Sequence, residues 1–252
     1  MSALIAVIPA RHAASRFPGK PLALINGKPM IQHVWERCLQ ARTFDEVVIA
    51  TDDARIVDAV KHFNGTVELT SAAHPSGTDR VAEIARRRPG GNDDVFVNVQ
   101  GDEPAIHPEA LQILGRAFSD PQVQMATLVR PLDEAERTQP NVVKVVRDES
   151  GHALYFSRGD VPFAREPNEP AVRWAHLGIY GYRRATLLRL AALPPTALEN
   201  TERLEQLRAL GNGIRILCCE TRHRGQAVDS PADVPRAEAA LRTLLAAFPT
   251  KS

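Results

Sequence analysis

The sequence predicts an α/β fold with a mixed, mostly parallel central sheet flanked by helices, and with a smaller antiparallel subregion. In the first half of the chain, short apolar runs alternate with segments of helical spacing, which is typical of parallel strands joined by crossover helices. In the second half, short apolar runs follow one another with only loops between them, which indicates antiparallel pairing. The length of 252 residues is compatible with one large domain, so we predict a single domain over 1–252.

The first half opens with an apolar run at 4–8 that has the length of a buried strand. Helical spacing of Ile31, Val34, Trp35 and Leu39 predicts a helix at 29–39. The same alternation predicts strands at 46–50, 66–69 and 95–99, and helices at 54–63 and 79–88. These elements complete a doubly wound half.

The second half begins with a predicted helix at 108–118. Loop-separated apolar runs then predict strands at 124–129, 142–146, 153–156 and 177–182. The chain closes with a predicted helix at 199–210, a strand at 214–218 and a helix at 232–247. We expect the partly antiparallel sheet in this half.

Composition excludes several classes of protein. Lys and Arg number 31 against 30 Asp and Glu, a net charge of +1, so no nucleic-acid partner is indicated. Three cysteines without CxxC spacing predict neither a disulfide framework nor a zinc site. The apolar run at the start of the chain is too short for a signal peptide or a membrane span. We therefore expect a soluble cytoplasmic protein that does not act at a membrane.

The loop at 9–21 follows the first predicted strand, where ligands of open α/β sheets bind. It carries three cations, Arg11, Arg16 and Lys20, together with Gly19. Arg provides forked charged donors, Lys a movable charge, and Gly allows close backbone approach. The loop therefore suits a polyphosphate, although a solvated surface loop is the alternative interpretation of such a cluster.

Two common phosphate motifs are absent from the sequence. In the loop at 9–21, Ala14 stands where a P-loop needs its first Gly, and Pro21 stands where it needs Ser or Thr. Gly211 and Gly213 lack the third Gly of a dinucleotide fingerprint and precede a predicted strand. Any nucleotide site is therefore of another type.

Two aspartates are candidate ligands for Mg²⁺. Asp102 lies just past the predicted strand at 95–99, where it can reach a metal ion bound to a nucleotide phosphate. A cap for the next helix is the alternative role. Asp229 precedes Ser230 and Pro231, which are typical of a helix start. Helix-start chemistry explains those two residues but leaves Asp229 unexplained.

Several segments resemble the 3-deoxy-manno-octulosonate (Kdo) cytidylyltransferases, and the resemblance covers nearly the whole chain. The segments are Gly19-Lys20-Pro21-Leu22, Asn26-Gly27-Lys28-Pro29-Met30-Ile31, Ala50-Thr51-Asp52, Ser76-Gly77-Thr78-Asp79-Arg80, Asn98-Val99-Gln100-Gly101-Asp102-Glu103-Pro104, Ala153-Leu154-Tyr155-Phe156-Ser157-Arg158, His176-Leu177-Gly178-Ile179-Tyr180-Gly181-Tyr182 and Leu204-Glu205-Gln206-Leu207-Arg208. The segments at 176–182 and 204–208 are far more specific to this family than the others, which recur among sugar nucleotidyltransferases. The resemblance implies the nucleotide-diphospho-sugar transferase fold, which is Rossmann-like.

The resemblance also implies roles for individual residues. The implied catalytic residues are Arg11, Lys20, Asp102 and Asp229, of which Asp102 and Asp229 would bind Mg²⁺. The implied nucleotide site comprises Ala10, Arg11, Lys20, Ser76, Gly77, Arg80, Gln100 and Asp102. The implied sugar site comprises Gln100, Arg158, His176, Tyr180, Glu205 and Gln206. Without the resemblance, His176 and Tyr180 are interpreted as core residues of a strand, and Glu205 and Gln206 as an exposed helix face.

The activity that the resemblance implies is transfer of CMP from CTP to the anomeric hydroxyl of Kdo, giving CMP-Kdo and pyrophosphate and activating Kdo for lipopolysaccharide synthesis. Such a transfer needs positioning and charge neutralisation rather than a nucleophilic side chain. Mg²⁺ is the implied cofactor, and a homodimer formed through the region at about 142–182 is the implied assembly, with part of the sugar site in the same region. The alternatives are a cytidylyltransferase for 8-amino-Kdo or a sialic acid, and a catalytically silent nucleotide-binding subunit.

Overall fold

The central sheet has nine strands, and one long antiparallel strand lies near its middle. The structure, a computed structural model, describes residues 2–13, 17–166 and 172–247. The strands are β1 (Leu4–Ala10), β2 (Leu24–Ile25), β3 (Lys28–Pro29), β4 (Glu46–Thr51), β5 (Val67–Leu69), β6 (Val95–Asn98), β7 (Met125–Pro131), β8 (Lys144–Arg147), β9 (Ala153–Ser157), β10 (Trp174–Arg183) and β11 (Leu217–Glu220). The helices are α1 (Met30–Ala41), α2 (Ala54–His62), α3 (Gly77–Arg87), α4 (Pro108–Ala117), α5 (Arg184–Ala192), α6 (Ala197–Glu202), α7 (Gln206–Gly211) and α8 (Val234–Ala247).

The strand order is β11-β7-β10-β6-β1-β4-β5, and the β8–β9 pair branches from β10. Strand β1 pairs in parallel with both β4 and β6, and β11 pairs in parallel with β7. Strand β10 runs antiparallel to β6 and β7. The carboxyl ends of β1, β4, β6 and β7 therefore meet the beginning of β10 at one edge of the sheet, and this edge carries the site described below.

The core lies on both faces of the sheet because successive residues of a strand point to opposite faces. Val7 and Val48 face the side that α3 and α5 cover, whereas Ile8 and Ile49 face α1 and α4. All four of these strand residues are fully buried. Near-continuous apolar runs are expected for parallel strands that are covered on both faces.

A small hairpin of β2 and β3 supports the end of the chain. Asn26 and Gly27 have positive φ values of 45° and 79°, as expected for an Asn-Gly turn between two strands. Ile25 of the hairpin packs with Val228 and Leu241 in a separate apolar cluster. Helix α8 is thereby fixed against the hairpin, and the loop that precedes it is held beside the site edge.

Three sequence predictions need correction. The helix predicted at 199–210 is two helices, α6 and α7, because Arg203 between them is left-handed with φ 55°. Helix α5 was not predicted at all, and its buried residues Arg184, Leu187 and Leu190 include a charged one. Strand β11 begins at Leu217 rather than at 214. The mostly parallel first half matches its prediction within a few residues at each boundary.

In the part of the chain that the structure describes, no helix combines the length and the apolar character needed to cross a bilayer.

Candidate active site

Two cavities adjoin at the carboxyl edge of the sheet and share part of their walls. The smaller, of about 200 Å³, is lined by Pro9, Ala10, Arg11, Lys20, Pro21, Gly77, Gln100, Gly101 and Asp102. The larger, of about 770 Å³, includes Asp229, Arg158, His176, Tyr180, Glu205 and Gln206 in its lining. Gly77, Gln100 and Asp102 line both cavities. The structure thus brings most of the residues predicted for the site into one continuous wall.

The smaller cavity depends on close packing of three backbone segments. A Cβ atom at Gly101 would lie 2.8 Å from the carbonyl oxygen of Pro9, and one at Gly77 would lie 3.3 Å from Pro9 Cγ. The end of β1, the start of α3 and the turn after β6 therefore contact each other directly. Ser76 is the N-cap of α3 and accepts a hydrogen bond from Asp79 N at 3.2 Å. The N-terminus of α3, with its positive end of the helix dipole, consequently faces the cavity through Gly77.

Lys20 lies between the two candidate metal ligands. Its Nζ is 2.6 Å from Asp102 Oδ2 and 3.8 Å from Asp229 Oδ1. Val228 N donates to the carbonyl oxygen of Asp102 at 2.9 Å, which fixes the two acidic segments beside each other. The structure therefore joins aspartates from distant parts of the sequence around one cation.

The helix-start interpretation of the Asp229 segment is correct for its neighbours. Asp233 Oδ2 accepts hydrogen bonds from Asp229 N at 3.1 Å and from Ser230 N at 2.9 Å. Ser230 is thus the N-cap of the short 3₁₀ turn Pro231–Asp233, and Asp233 completes its capping box. The Asp229 carboxylate lies 3.8 Å from Lys20 Nζ, and Asp229 lines the larger cavity.

Glu103 is a half-buried acid with a buried Oε2 atom, and sequence reasoning did not assign it to the site. It lines the larger cavity, and Gly225 packs so closely on it that a Cβ there would lie 2.8 Å from Glu103 Oε2. Burial, with a contribution from the charge of Asp102, raises the pKa of Glu103 to about 8. Glu103 is therefore largely protonated at neutral pH. The sequence places Glu103 beside Asp102 but gives no sign of its burial.

Arg11 provides unused hydrogen-bonding capacity in the smaller cavity. Its Nη2 is buried and has no hydrogen-bond partner among the described residues. A buried donor without a partner is energetically unfavourable, by roughly 1–3 kcal/mol. An anionic ligand in this cavity would satisfy it, which agrees with the predicted phosphate-binding role.

His176 and Tyr180 enter the larger cavity from β10. His176 Nε2 lies 3.0 Å from Thr127 Oγ1, and the His176 ring is 5.2 Å from the ring of Tyr180. Burial lowers the pKa of His176 to about 3, so the imidazole is neutral at physiological pH. These side chains combine core packing with a surface in the cavity, and their role in sugar binding stays a prediction.

Two amide side chains complete the polar lining. Gln100 Nε2 donates to the carbonyl oxygen of Gly178 at 3.3 Å. Gln206 is buried, and its Nε2 has no hydrogen-bond partner among the described residues. Gln206 opens α7 directly after Glu205, and both line the cavity. An exposed helix face is therefore the wrong interpretation of Gln206.

Arg158 is anchored in the wall rather than extended into the cavity. Its Nε donates to Glu202 O at 2.8 Å, Nη1 to Pro140 O at 2.9 Å and Nη2 to Arg203 O at 3.3 Å. A guanidinium has five N–H groups, so each Nη retains one for a ligand.

A buried network that sequence reasoning missed supports Arg158. Lys144 is fully buried, and its Nζ donates to the carbonyl oxygens of Gln139, Val142 and Arg158 at 2.7–2.9 Å. Glu202 accepts from Ser157 Oγ at 2.6 Å and, through its other oxygen, from Arg158 N at 3.0 Å. The wall formed by 139–158 and α6 is therefore fixed by charged side chains. Lysine and glutamate without a local motif give no sequence signal for this role.

Arg80 does not reach the cavity surface, in contrast to its predicted place in the nucleotide site. Its side chain is completely buried, and Nη2 donates to Asp52 Oδ2 at 3.0 Å. Thr70 Oγ1 accepts from its Nη1. Arg80 thus stabilises the start of α3 from within the core, and Ser76 contributes as the N-cap.

The sequence profile of the family described as Cytidylyltransferase matches residues 5–216. A 3-deoxy-manno-octulosonate cytidylyltransferase from Myxococcus xanthus (strain DK1622) is 56% identical over 238 residues, which is 94% of this chain and 96% of the relative. One from Anaeromyxobacter sp. (strain Fw109-5) is 50% identical over 249 residues, covering 99% of each chain. A solved structure of CMP:2-keto-3-deoxy-manno-octonic acid synthetase complexed with CTP superposes with a TM-score of 0.91 at 42% identity, covering 96% of this chain and 99% of that one.

The fold and the paired cavities thus define a nucleotidyltransferase of the cytidylyltransferase class. Within that class, the chain belongs to the 3-deoxy-manno-octulosonate cytidylyltransferase family. The predicted family and fold class are confirmed.

Proposed function

We propose that this chain transfers CMP from CTP to the anomeric hydroxyl of Kdo, releasing pyrophosphate and activating Kdo for lipopolysaccharide synthesis. The observation that carries the proposal is the pair of adjoining cavities that share Gly77, Gln100 and Asp102. A nucleotide in the smaller cavity and a sugar in the larger would meet at Asp102. Family membership supports the same activity, since the relatives are named 3-deoxy-manno-octulosonate cytidylyltransferases.

We further propose that Asp102 and Asp229 hold Mg²⁺. The donor set fits a hard cation, because carboxylate oxygens are the protein ligands that Mg²⁺ prefers and substrate phosphates usually complete its shell. The position of the Lys20 ammonium, 2.6 Å from one carboxylate and 3.8 Å from the other, supports a site that attracts positive charge. When bound, Mg²⁺ supplies a Lewis acid that polarises the phosphate and lowers the pKa of the sugar hydroxyl.

The residues of the smaller cavity neutralise and orient the triphosphate. Arg11 offers its unpartnered Nη2 to a phosphate oxygen, and Lys20 adds a movable charge near the leaving pyrophosphate. The α3 N-terminus adds partial positive charge at Gly77. Charge stabilisation of this kind lowers the barrier because charge shifts to the leaving group during transfer.

No covalent intermediate is needed. Burial raises the pKa of Cys218 to about 12 and that of Cys219 to about 11, so neither thiol is a nucleophile at neutral pH. Direct attack of the sugar hydroxyl on the α-phosphate, with pyrophosphate leaving, requires alignment of the two substrates.

The larger cavity recognises the acidic sugar. Arg158 retains two N–H groups for the sugar carboxylate, and the neutral His176, Gln206 and Gln100 offer hydrogen bonds to hydroxyls. Tyr180 forms an apolar side of the cavity next to His176. Because the His176 ring is uncharged, it selects for hydroxyls rather than for a second anion.

We also propose a cytoplasmic homodimer assembled through the region at about 142–182. Within that region, Leu154 and Phe163 are exposed large apolar side chains, at 60% and 84%. Apolar side chains of this size at a surface favour a partner. Analytical ultracentrifugation of the chain and of Leu154→Glu would measure the assembly, and a monomer in both would contradict the proposed dimer.

A coupled pyrophosphate assay tests the activity. CTP with Kdo should release pyrophosphate in the presence of Mg²⁺, with UTP, 8-amino-Kdo and a sialic acid as the comparison substrates. We expect strong preference for CTP with Kdo and loss of turnover in EDTA. Equal turnover with another acidic sugar would contradict the proposed substrate, and turnover in EDTA would contradict the metal requirement.

A further inference from the structure

A second group of potential metal ligands lies outside the two cavities described above. His107, Glu109 and His223 each offer a ligand atom, and these atoms all lie within 4.8 Å of one another. The activity proposed above uses none of the three residues. The question is whether their geometry and anchoring suit a metal ion.

The side chains are already close to chelating distances. His223 Nε2 lies 2.9 Å from Glu109 Oε2, and the His107 and His223 rings are stacked with centroids 3.4 Å apart and 5° between their planes. Two ligand atoms bound at about 2.0–2.2 Å to one tetrahedral or octahedral ion are roughly 2.8–3.6 Å apart. Because the nitrogen lone pairs lie in the ring planes, the two imidazoles would have to rotate out of the stack to point, with the carboxylate, at one ion.

Helix α4 anchors His107 and Glu109, and backbone hydrogen bonds anchor His223 in the loop after β11. His107 is the N-cap of α4, where its Nδ1 accepts from Glu109 N at 3.2 Å, and Glu109 lies in the first turn of that helix. His223 follows β11 and is held through His223 N donating to Thr221 Oγ1 at 3.2 Å, while Thr221 N donates to Val129 O at 2.8 Å. Ligands on fixed backbone lose little conformational entropy when they bind an ion.

We propose that His107, Glu109 and His223 form a binding site for a divalent transition-metal cation, with Zn²⁺ as the reference ion, distinct from the site for Mg²⁺. Two imidazoles and one carboxylate are a borderline donor set that Zn²⁺ accepts with a water in the fourth position. Mg²⁺ prefers an all-oxygen shell and is disfavoured here. A divalent ion with one carboxylate and two neutral imidazoles has a net charge of +1. Water can solvate this charge because the three residues are exposed or half-buried.

The ion would connect two segments that also form the active site. The segment that ends at His107 carries Asp102, and the segment that starts at His223 carries Asp229; the two meet where Val228 N donates to Asp102 O. An ion at the far ends of both segments would stabilise the folded chain, because it binds the native arrangement and not the unfolded one. The hydrogen bond from Glu109 N to His107 Nδ1 competes with metal ligation through that nitrogen. If Nδ1 binds the ion, the N-cap hydrogen bond of α4 is lost.

Isothermal titration of an untagged, EDTA-treated chain with Zn²⁺ in excess Mg²⁺ tests the site. An Asp102→Asn/Asp229→Asn background removes the oxygen ligands of the other site. In this background we expect one Zn²⁺ per chain, and a loss of affinity of at least about tenfold on adding His223→Gln or His107→Asn, since each removes one of three ligands. Asparagine at 107 keeps an N-cap. His62→Gln, which removes an exposed histidine elsewhere, serves as the matched control and should bind as the parent does.

Thermal unfolding and the Co²⁺ spectrum test the same site independently of the titration. Zn²⁺ should raise the melting temperature of the parent and of His62→Gln but not of His223→Gln, and Co²⁺ should give a visible spectrum that disappears with Glu109→Gln. Glu109 is exposed, so this variant folds even if a histidine variant does not. The absence of stoichiometric Zn²⁺ binding by the parent would overturn the proposal. So would binding that survives Glu109→Gln and His223→Gln unchanged, since the ion would then occupy the cysteines or another site.

Discussion

The two cavities of the active site are built in different ways. The smaller is formed by backbone segments in direct contact and by charged residues that follow strand ends, with Gly101 against Pro9 as the tightest contact. The larger is formed by side chains from distant segments and is supported by the buried Lys144 and the half-buried Glu202. The nucleotide side is therefore formed where strand ends converge at one edge of the sheet, and the sugar side by side chains that depend on a supporting network of charged residues. Substitutions should separate the two.

The largest effect should come from the carboxylates between the cavities. Asp102→Asn keeps the size of the side chain but removes the charge that pairs with Lys20 and, as proposed, with Mg²⁺. Loss of metal-assisted charge stabilisation is worth several kcal/mol, so we expect turnover to fall by at least about 10³-fold. Asp229→Asn should behave in the same way, and steady-state rates across a Mg²⁺ series measure both.

Asp58→Asn is the matched control for that experiment, since Asp58 is exposed on α2. Circular dichroism should show that all three variants are folded. Near-normal turnover of either active-site variant at low Mg²⁺ would remove that residue from the proposed metal site.

The next effect distinguishes the cavities. Arg11→Ala removes a charged donor from the smaller cavity, and hydrogen bonds to charged groups are worth about 1.5–3 kcal/mol; CTP affinity and turnover should both fall by roughly 10–100-fold. Arg158→Ala should raise the KM for Kdo and leave CTP affinity nearly unchanged. Calorimetry with CTP and steady-state titration of Kdo measure the two effects.

Arg158→Lys serves as the conservative control, and we expect it to restore little, since an ammonium lacks the planar fork whose five N–H groups bind Glu202 O, Pro140 O and Arg203 O and still leave donors for a carboxylate. If Arg158→Ala weakens CTP more than Kdo, the assignment of the larger cavity to the sugar is wrong.

How far the sequence could predict this molecule follows from the same contrast. Arg11, Lys20 and Asp102 follow strands whose apolar runs are readable, and the carboxyl ends of parallel strands meet at one edge. Their convergence was therefore predictable in kind. His176, Glu205 and Gln206 required the family resemblance, because a histidine on a strand and two polar residues on a helix have no chemistry-specific pattern.

The remaining features depend on tertiary contacts that no local pattern encodes. Arg203 takes a left-handed φ of 55°, although arginine has no preference for that region, so the division between α6 and α7 was missed. The motif that contains Arg80 predicted a cavity residue, but the Arg80 guanidinium donates its hydrogen bonds to Asp52 and Thr70. The burial of Lys144 could not be inferred either, since lysine is almost never fully buried without partners.

Lys144 offers a smaller and more selective perturbation of the sugar side. Lys144→Met keeps the side-chain length but leaves the carbonyls of Gln139, Val142 and Arg158 without their donor. Buried acceptors without a donor destabilise the folded chain, and removal of a buried charge offsets part of this loss. We therefore expect the free energy of unfolding to fall by about 1–3 kcal/mol. The KM for Kdo should rise while CTP affinity is retained. Urea denaturation with the two titrations checks this, and an unchanged KM for Kdo would show that the network does not support the sugar cavity.

The smallest effect concerns His176 and the pH dependence of stability. Burial lowers its pKa in the folded chain to about 3, whereas an unfolded histidine titrates near 6.5. As pH falls below about 6.5, the histidine of the unfolded chain binds a proton and His176 of the folded chain does not. The free energy of unfolding therefore decreases progressively from about pH 6.5 down to about pH 3. The loss is at most about 1.4 kcal/mol per pH unit.

His176→Gln removes this titration. It should reduce the pH dependence of the free energy of unfolding between pH 7 and pH 5, relative to the parent and to His62→Gln. Parallel curves for the parent and His176→Gln, from urea titrations at each pH, would mean that His176 is already accessible to protons in the folded chain.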